Sequence, residues 1–457
     1  MDSGFAAFPE RHYLEKILNH KDIKPISMIS KYISSGHTPY LHNVKEGKAG
    51  DVDFVTVECI SDLMLHKDKL KKITAKQFEE EFKRNRLQIG AVLCTIKRRI
   101  CKAFPITKNY GDVAFNQDIA FIIPTHEVST VYLATYLCSR VGQLFAKRQM
   151  TEQMNPYISV ENLLGLPIVI ASKNFQNKVE LIFELADKCR TKSIFEYAAA
   201  ETLLLKTLDM TNFSPSTEGI NIKTFKDSFA ETGRLDAEYY QLKYEETMDK
   251  VRSQPNARLI ELASIQKSIE PGTEAYSDDE SGLPFLRVAD YSKHGITKPQ
   301  KCLNAAFVAE NCDKLDALKP KKNTILFSKD GSVGEAYCLR EDANFVTSGA
   351  ILHLMVRNTD EVLPDYLTLA LNSKLVRIQA ERDAGGSVIL HWRVDEIQNV
   401  IVPLVDMSTQ EEIAAMFQES FALKAESERL LDIAKRAVEI AIEQDENAGM
   451  AYIEMNS

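Results

Sequence analysis

The sequence predicts an α+β protein built as a tandem internal repeat, with two similar strand-rich globular domains and two long helices that pair with each other. Two observations predict this fold. Residues 174–208 and residues 409–444 are long runs that contain neither glycine nor proline, as continuous helices require. In addition, landmarks of the first half of the chain recur in the same order in the second half.

The second of these runs, residues 409–444, is rich in Ala and Glu, and Thr409 is followed three residues later by Glu412. That spacing is a capping box, so we expect the helix to begin at Thr409. At about 1.5 Å per residue the helix would be roughly 50 Å long, which is the length of a spacer. Its apolar residues mostly recur every three or four positions, so it needs one apolar partner.

The partner is the run at 174–208, where Val179, Ile182 and Ala186 recur at helical spacing. The two runs start 235 residues apart (409 − 174), and four other landmark pairs have nearly the same offset. Two unrelated α+β domains with similar strand alternation are the alternative, but a colinear set of matches favours duplication. The pairs are Gly36 and Gly272 (offset 236), Phe54 and Phe285 (231), Tyr132 and Tyr366 (234), and Pro167 and Pro403 (236).

The domain boundaries follow from changes of composition along the chain. The predicted segments are a strand-rich domain at 1–172, a long helix at 173–210, a polar linker at 211–232, a second strand-rich domain at 233–407, and a second long helix with a tail at 408–457.

A chain of 457 residues with 44% hydrophobic and 26% charged residues is typical of a globular protein of two to four domains. It has no apolar run near the ~20 residues that span a bilayer and no signal-peptide pattern at its N-terminus, so we expect a cytoplasmic protein without a membrane partner. The eight cysteines stand singly, which predicts reduced, mostly buried thiols and no zinc site.

The formal charge of −9 is unevenly distributed. Residues 84–108 hold seven basic residues and no acid, whereas residues 409–457 hold four basic and eleven acidic residues. A nucleic-acid contact is therefore compatible with the acidic total, because the position of charge matters more than its sum.

Catalytic motifs are absent or incomplete. Asn155-Pro-Tyr-Ile lacks the second proline of an adenine methyltransferase loop, and Gly331-Ser-Val-Gly334 stops short of a dinucleotide-binding pattern. Glu46-Gly-Lys48 has the spacing of a metal-dependent nuclease, but no Pro-Asp pair precedes it. The sequence predicts a non-catalytic chain with no cofactor and no metal.

Two segments are candidate DNA contacts in the first half. Lys97, Arg98 and Arg99 follow a predicted strand directly, with Lys102 close behind, and an arginine fork matches the O6 and N7 atoms of guanine. A solvated hairpin tip is the alternative. Gln149 and Asn155 align with a glycine-rich loop of the second half.

The second half offers an equivalent set. Small hydroxyls, a lysine and a glycine at the end of a strand suit close approach to phosphate, although ordinary turn chemistry explains the same residues. The only tryptophan, Trp392, is better explained as a packing residue than as a base stacker. The candidate contacts are Ser328, Lys329 and Ser332 in the turn, Ser387, His391 and Arg393 in the glycine-rich loop, and Arg287, Tyr291 and Lys293 after the strand at 285–289.

Taken in order, these features resemble the specificity subunit of type I restriction-modification systems over nearly the whole chain. The first half departs from the pattern at 94–99 (CTIKRR), where a glycine-rich turn is usual. The resemblance is carried by residues 233–240 (GRLDAEYY), the Ile-x-x-Gly-x-Thr turn at Gly36 and more loosely at Gly272, residues 324–334 (TILFSKDGSVG), and residues 366–403 followed by 410–413 (QEEI).

The resemblance implies that each strand-rich domain is a target recognition domain that reads one half of a bipartite, asymmetric DNA site. It implies that the two long helices pack antiparallel into a coiled-coil spacer. It also implies two modification subunits, which bind S-adenosylmethionine and methylate adenine at N6, and restriction subunits that use ATP. Alternatives are a subunit serving a fused restriction-modification enzyme, a self-contained methyltransferase or nuclease, and a coiled-coil adaptor that never contacts DNA.

Overall fold

The computed structural model describes residues 10–19, 22–37, 51–82, 87–151, 154–277, 282–386 and 389–457. The chain forms two compact units, which we call the first unit (residues 1–190 and 424–457) and the second unit (residues 191–423). Each long helix therefore contributes one part to each unit. Among the described residues, no helix combines the length and the apolar character needed to cross a lipid bilayer.

The first unit contains a four-stranded antiparallel sheet and a three-stranded mixed sheet, because its apolar runs are short and bounded by turns. The four-stranded sheet has the order Ser30–Ser35, Ile119–Pro124, Val92–Thr95, Ala103–Pro105. The three-stranded sheet has the order Lys71–Ile73, Val52–Val55, Val113–Phe115, and two-stranded pairs join Ile60–Ser61 to Met64–Leu65 and Ile23–Pro25 to Pro167–Val169. Its short helices are Arg11–Leu18, Ile26–Ile29, Ala75–Gln77, Thr130–Cys138, Arg140–Gln149, Val160–Leu164 and Glu446–Asn456, with a π-helical turn at Phe78–Phe82 and 3-10 turns at Val57–Cys59 and Lys67–Lys69.

The second unit repeats this topology. Its first four-stranded sheet has the order Ala263–Lys267, Ile351–Val356, Ile325–Ser328, Ala336–Cys338. A second sheet has the order Tyr276–Ser277, Lys301–Leu303, Leu283–Leu286, Val346–Thr347, and pairs join Tyr291–Ser292 to Gly295–Ile296 and Asn256–Arg258 to Ile401–Pro403. Its short helices are Phe229–Thr232, Leu242–Arg252, Leu259–Leu262, Ala305–Glu310, Cys312–Leu318, Pro364–Asn372, Lys374–Asp383 and Val394–Gln398, with 3-10 turns at Ala237–Tyr240, Thr273–Ala275 and Val288–Asp290. The predicted fold class, α+β with an internal repeat, is confirmed.

Two of the four landmark pairs occupy equivalent positions. Phe54 pairs in parallel with Ala114, as Phe285 does with Val346. The buried Tyr132 hydroxyl donates to the carbonyl of Val169 at 2.9 Å, and Tyr366 donates to the carbonyl of Pro403 at 2.7 Å.

The glycine and proline pairs are not equivalent, and those two matches were wrong. Pro403 corresponds to Val169, because each closes its strand and accepts the tyrosine hydrogen bond. Gly36 precedes His37, whose parallel bridge to Asn116 corresponds to the bridge between Ile269 and Ser348. Gly272 therefore lies beyond the position equivalent to Gly36.

The long helices run from Lys173 to Thr207 and from Met407 to Glu443, and they pack antiparallel. In the first unit the Ser427 hydroxyl donates to the carbonyl of Ala186 at 2.7 Å. In the second unit the Ser420 hydroxyl donates to the carbonyl of Ser193 at 2.8 Å. Both hydroxyls are therefore paired where they interrupt the apolar stripe. The Ser193 hydroxyl lies 3.3 Å from that of Ser420, and most of the other buried residues of the seam are apolar.

The start of the second long helix differs from the prediction. The carboxylate of Asp406, not the Thr409 capping box, caps it: Thr409 N donates to Asp406 Oδ1 at 3.0 Å, and the Ser408 hydroxyl donates to the same oxygen at 2.6 Å. The hydrogen bonds from the Ser408 and Thr409 side chains lower the pKa of Asp406 to about 2. The helix therefore begins two residues earlier than expected.

A buried glutamine anchors each long helix to the strand domain that precedes it. Gln176 accepts a hydrogen bond from Ser129 N at 2.7 Å, and its amide nitrogen donates to two further carbonyls. Gln410 accepts from Leu363 N at 3.0 Å and donates to two carbonyls in the same way. The two side chains are 0% and 2% exposed, so both carboxamides are fully used inside the protein.

Each strand domain also contacts a helix through charges, and the signs are reversed between the units. In the first unit Asp62 lies 2.8 Å from Lys102 and 3.8 Å from Lys435 of the second long helix. At the equivalent hairpin of the second unit, Lys293 lies 3.4 Å from Glu201 of the first long helix. Lys293 N also donates to Glu335 at 2.9 Å, and Glu335 takes the place of Lys102.

All eight cysteines are free, and six of them are buried; Cys189 is half-buried and Cys312 is exposed. This agrees with the expectation of reduced, mostly buried thiols.

Burial of His353 predicts a pH dependence of stability. Its ring Nε2 lies 2.9 Å from the Thr347 hydroxyl, and burial lowers the pKa of the imidazole to about 4. In the unfolded chain the imidazole takes up a proton as the pH falls through about 6.5, whereas in the folded chain it does so only near pH 4. Between these two values the unfolded state binds more protons, so the free energy of unfolding should fall as the pH drops from about 6.5 to about 4. His353→Gln cannot titrate and should make this fall in the free energy of unfolding shallower in urea denaturation; the half-buried His66, whose pKa is also lowered to about 4, still contributes to it. The matched control is His12→Gln, at a 98% exposed side chain, and equal slopes for both variants would contradict the assignment.

Candidate nucleic-acid interface

In the first unit the predicted basic contacts lie on one tight turn. The strand Val92–Thr95 ends at this turn, and the Thr95 hydroxyl ties the turn together by donating to the carbonyl of Arg99 while accepting from Lys102 N at 3.0 Å. Arg98 has φ +64°, in the left-handed region. The Arg98 and Arg99 side chains are exposed, whereas Lys97 lies 3.6 Å from Asp118.

A second loop lies against this turn, as the alignment of the halves indicated. Arg98 N donates to the carbonyl of Pro156 at 2.9 Å, and Tyr157 bridges to both Lys97 and Thr151. Asn155 is exposed on this loop. Gln149 is the last residue of the helix that precedes the loop, and its carbonyl accepts from the Asn162 amide at 3.0 Å.

The second unit builds the same turn with different side chains. The buried Ser328 hydroxyl donates to the carbonyl of Ser332 and accepts from Glu335 N at 2.9 Å. Gly331 has φ +72° and occupies the position of Arg98. Ser332 is exposed.

The adjoining loop of the second unit also follows the first. Gly331 N donates to the carbonyl of Leu390 at 2.9 Å, and His391 bridges to both Asp330 and Gly385. His391 Nδ1 lies 2.8 Å from Asp330 Oδ1, and the other carboxylate oxygen of Asp330 accepts from Lys329. The His391 side chain remains 64% exposed. Arg393 is exposed beside it and pairs with Glu396 at 2.6 Å.

The structure gives several predicted contacts a different environment. Tyr291 is 6% exposed and its hydroxyl donates to the carbonyl of Glu335, so it supports the turn from the interior. Ser328 is fully buried. Arg287 lies 3.5 Å from the buried Asp290 and donates its backbone N–H to the same carboxylate. Lys102 pairs with Asp62, which also contacts Lys435 of the second long helix, and Lys293 pairs with Glu201 of the first long helix.

We therefore leave Tyr291, Ser328, Arg287, Lys102 and Lys293 out of the proposed contact surface. Ser387 and the Glu46-Gly-Lys48 segment lie outside the described residues. Trp392 is 1% exposed and packs against Phe327, which confirms the packing interpretation. Over the ranges that the structure describes, no group of three or more His, Cys, Asp or Glu residues is placed to hold a metal ion.

The sequence reasoning missed a basic segment beside the turn of the first unit. Burial, together with the positive charges of Lys69 and Arg99, lowers the pKa of His66 to about 4, so both cations lie near this ring. Glu58 was also missed: it lies 3.5 Å from Arg98. The signal was present in the lysine-rich run HKDKLKK at 66–72, which lies outside the segment that the charge count singled out.

Comparison with protein families identifies the second half of the chain. Residues 257–432 match the family model of the type I restriction modification DNA specificity domain. These residues are similar to a specificity domain of this family. The match confirms the resemblance inferred from the sequence, and the turn at 328–332 and the loop at 385–393 lie within the matched residues. A search of curated protein sequences found no match.

Solved structures were also compared. The S subunit of the type I system of M. genitalium is 11% identical with a TM-score of 0.40, covering 93% of this chain and 96% of that one. The HsdS subunit of Thermoanaerobacter tengcongensis is 14% identical with a TM-score of 0.28, covering 93% and 96%. The type IIG restriction endonuclease BpuSI is 11% identical with a TM-score of 0.33, covering 51% and 36%. Likenesses this distant carry no functional argument.

The hydroxyl that ties each turn can be tested in matched variants. Ser328→Ala and Thr95→Val each remove a buried hydroxyl and leave a backbone N–H of the turn, that of Glu335 or Lys102, without its acceptor. Each should lower the free energy of unfolding by about 1–3 kcal/mol, as measured by urea denaturation. Ser332→Ala, at an exposed side chain, is the control and should change it by less than about 0.5 kcal/mol. Equal effects in all three variants would contradict the assigned role.

Proposed function

We propose that the chain is the DNA-reading specificity subunit of a type I restriction-modification complex. The observation that carries this proposal is the match of residues 257–432 to the DNA specificity domain. The first unit supports it by repeating the sheets, the turn and the adjoining loop of that domain. If each unit reads one DNA segment through its own turn and loop, the target has two parts.

The two readers carry different side chains, so the target would be asymmetric. The first would contact DNA through Lys97, Arg98 and Arg99, with Asn155 and the loop after Gln149 beside them. The second would use Ser332, His391 and Arg393, because the Lys329 side chain is only 14% exposed and pairs with Asp330. An arginine fork and an imidazole offer different donor patterns to base edges.

The chain would supply recognition and leave chemistry to its partners. We propose two modification subunits that methylate adenine and, where present, restriction subunits that translocate and cleave, all acting on double-stranded DNA in the cytoplasm. We propose no catalytic residue, metal or cofactor for the chain itself. A specificity subunit that serves a fused restriction-modification enzyme remains the second candidate, and the same DNA specificity domain supports it.

The proposal is tested by co-expressing the full chain with a candidate modification subunit and mapping N6-methyladenine across the host genome. A single bipartite motif is the expected result. Replacing Lys97, Arg98 and Arg99 with alanine should weaken recognition of one half of that motif by about tenfold or more, because each base contact carries about 1–3 kcal/mol of discrimination. Replacing His391 and Arg393 should weaken the other half.

The control replaces the exposed Lys314, Lys321 and Lys322 with alanine, which removes the same three charges outside the turn. It should leave both half-sites unchanged. Equal loss at both half-sites in the Lys97, Arg98 and Arg99 variant would indicate general electrostatic attraction. Methylation without any motif would contradict the function itself.

A further inference from the structure

The two turns differ at two left-handed positions, Arg98 against Gly331 and Cys101 against Gly334. Cys101 is buried, so only Arg98 adds an exposed side chain. Arg98 and Gly331 have left-handed backbones, with φ +64° and +72°. This conformation suits glycine and strains a residue with a side chain. The second unit shows that glycine is sufficient to build the turn, so the fold alone does not explain an arginine at this position.

The surroundings of Arg98 also differ from those of Gly331. Arg98 lies 3.5 Å from Glu58, and the two side chains are 60% and 56% exposed. The equivalent of Glu58 in the second unit is Ala289, because the 3-10 turns Val57–Cys59 and Val288–Asp290 occupy the same place. The first unit thus has an arginine and a carboxylate where the second has neither.

The pair is placed to orient the guanidinium without burying it. A side chain that is 60% exposed gains little stability from an ion pair, so stabilisation does not explain the arginine either. Arg98 N is held by the carbonyl of Pro156 at 2.9 Å, which fixes the backbone beneath the side chain. A strained residue held by its surroundings, with an exposed side chain, is the arrangement found at binding sites.

We propose that Arg98 reads a guanine in the half-site of the first unit, and that Glu58 positions its guanidinium. This inference rests on the proposed function and adds to it the chemical class of one base. The two N–H groups of the fork would donate to O6 and N7 of guanine in the major groove. The Glu58 carboxylate would disfavour phosphate close to Arg98, so that the side chain contacts a base edge rather than the backbone of DNA.

Two substitutions of Arg98 distinguish a contact with a guanine base from an attraction between the positive charge and phosphate. Arg98→Lys keeps the positive charge but loses the planar fork, so a phosphate contact would tolerate it and a guanine contact would not. Arg98→Gly copies the second unit and relieves the backbone, so it should leave the thermal midpoint unchanged or raise it. Glu58→Ala should increase binding to non-specific DNA and reduce the ratio of specific to non-specific binding.

The experiment uses the full chain co-purified with its modification subunit and a double-stranded DNA library randomised over the bipartite site. We expect wild type to select guanine at one position of one half-site. Arg98→Gly and Arg98→Lys should each lose at least about tenfold of that preference and keep the other half-site. Unchanged selection by Arg98→Lys would overturn the guanine contact, and a lower thermal midpoint for Arg98→Gly would indicate a structural role instead. If wild type selects no motif, the proposed function fails and this inference fails with it.

Discussion

The rest of the structure depends on the way each long helix is fixed to the strand domain before it. Gln176 and Gln410 lie buried at the beginning of the helices, and each carboxamide bonds to one backbone N–H and two carbonyls. Rotation of the strand domain about the helix would break three hydrogen bonds and leave buried polar groups unpaired. The helix therefore determines the orientation of the domain attached to it.

Within each unit the two long helices are in turn fixed to each other. Apolar residues fill most of the seam, and the Ser427 and Ser420 hydroxyls bond to main-chain carbonyls where the stripe is interrupted. Each unit contains part of both helices. The second unit is one continuous segment, residues 191–423, whereas the first unit combines residues 1–190 with the C-terminal part of the second long helix and the tail, residues 424–457.

The sequence predicted the long helices and the repeat, because composition and the order of elements survive when residue identities diverge. The predicted equivalence of Gly36 and Gly272 was wrong because the two glycines have different local surroundings. A Cβ at Gly36 would meet the carbonyl oxygen of Asn116 at 2.1 Å, whereas at Gly272 it would meet only the side chain of Glu274. The predicted start of the second long helix was also wrong, because both Asp406 and Thr409 are residue types that cap helices, and in the folded protein it is Asp406 that accepts from Thr409 N.

The candidate interface was predicted less completely, because the partners of its charges come from distant segments. The run at 84–108 contains no acid, yet Lys97, Arg98, Lys102 and Lys108 pair with Asp118, Glu58, Asp62 and Asp187. A local charge count therefore overstates the positive field of the turn. The burial of Tyr291 and Ser328 was likewise invisible, since a residue after a strand can face inward or outward.

The reversed charges at the two helix contacts have a consequence for assembly. If the first strand domain packed on the helix segment of its counterpart, Asp62 would face Glu201, and in the converse exchange Lys293 would face Lys435. Like charges at such half-buried contacts repel, while the native combinations attract. A repeat protein whose copies remained alike at these positions would have two nearly equal ways to fold. The opposite charges of Asp62 and Lys293, matched by Lys435 and Glu201 on the helices, favour one of the two in this chain.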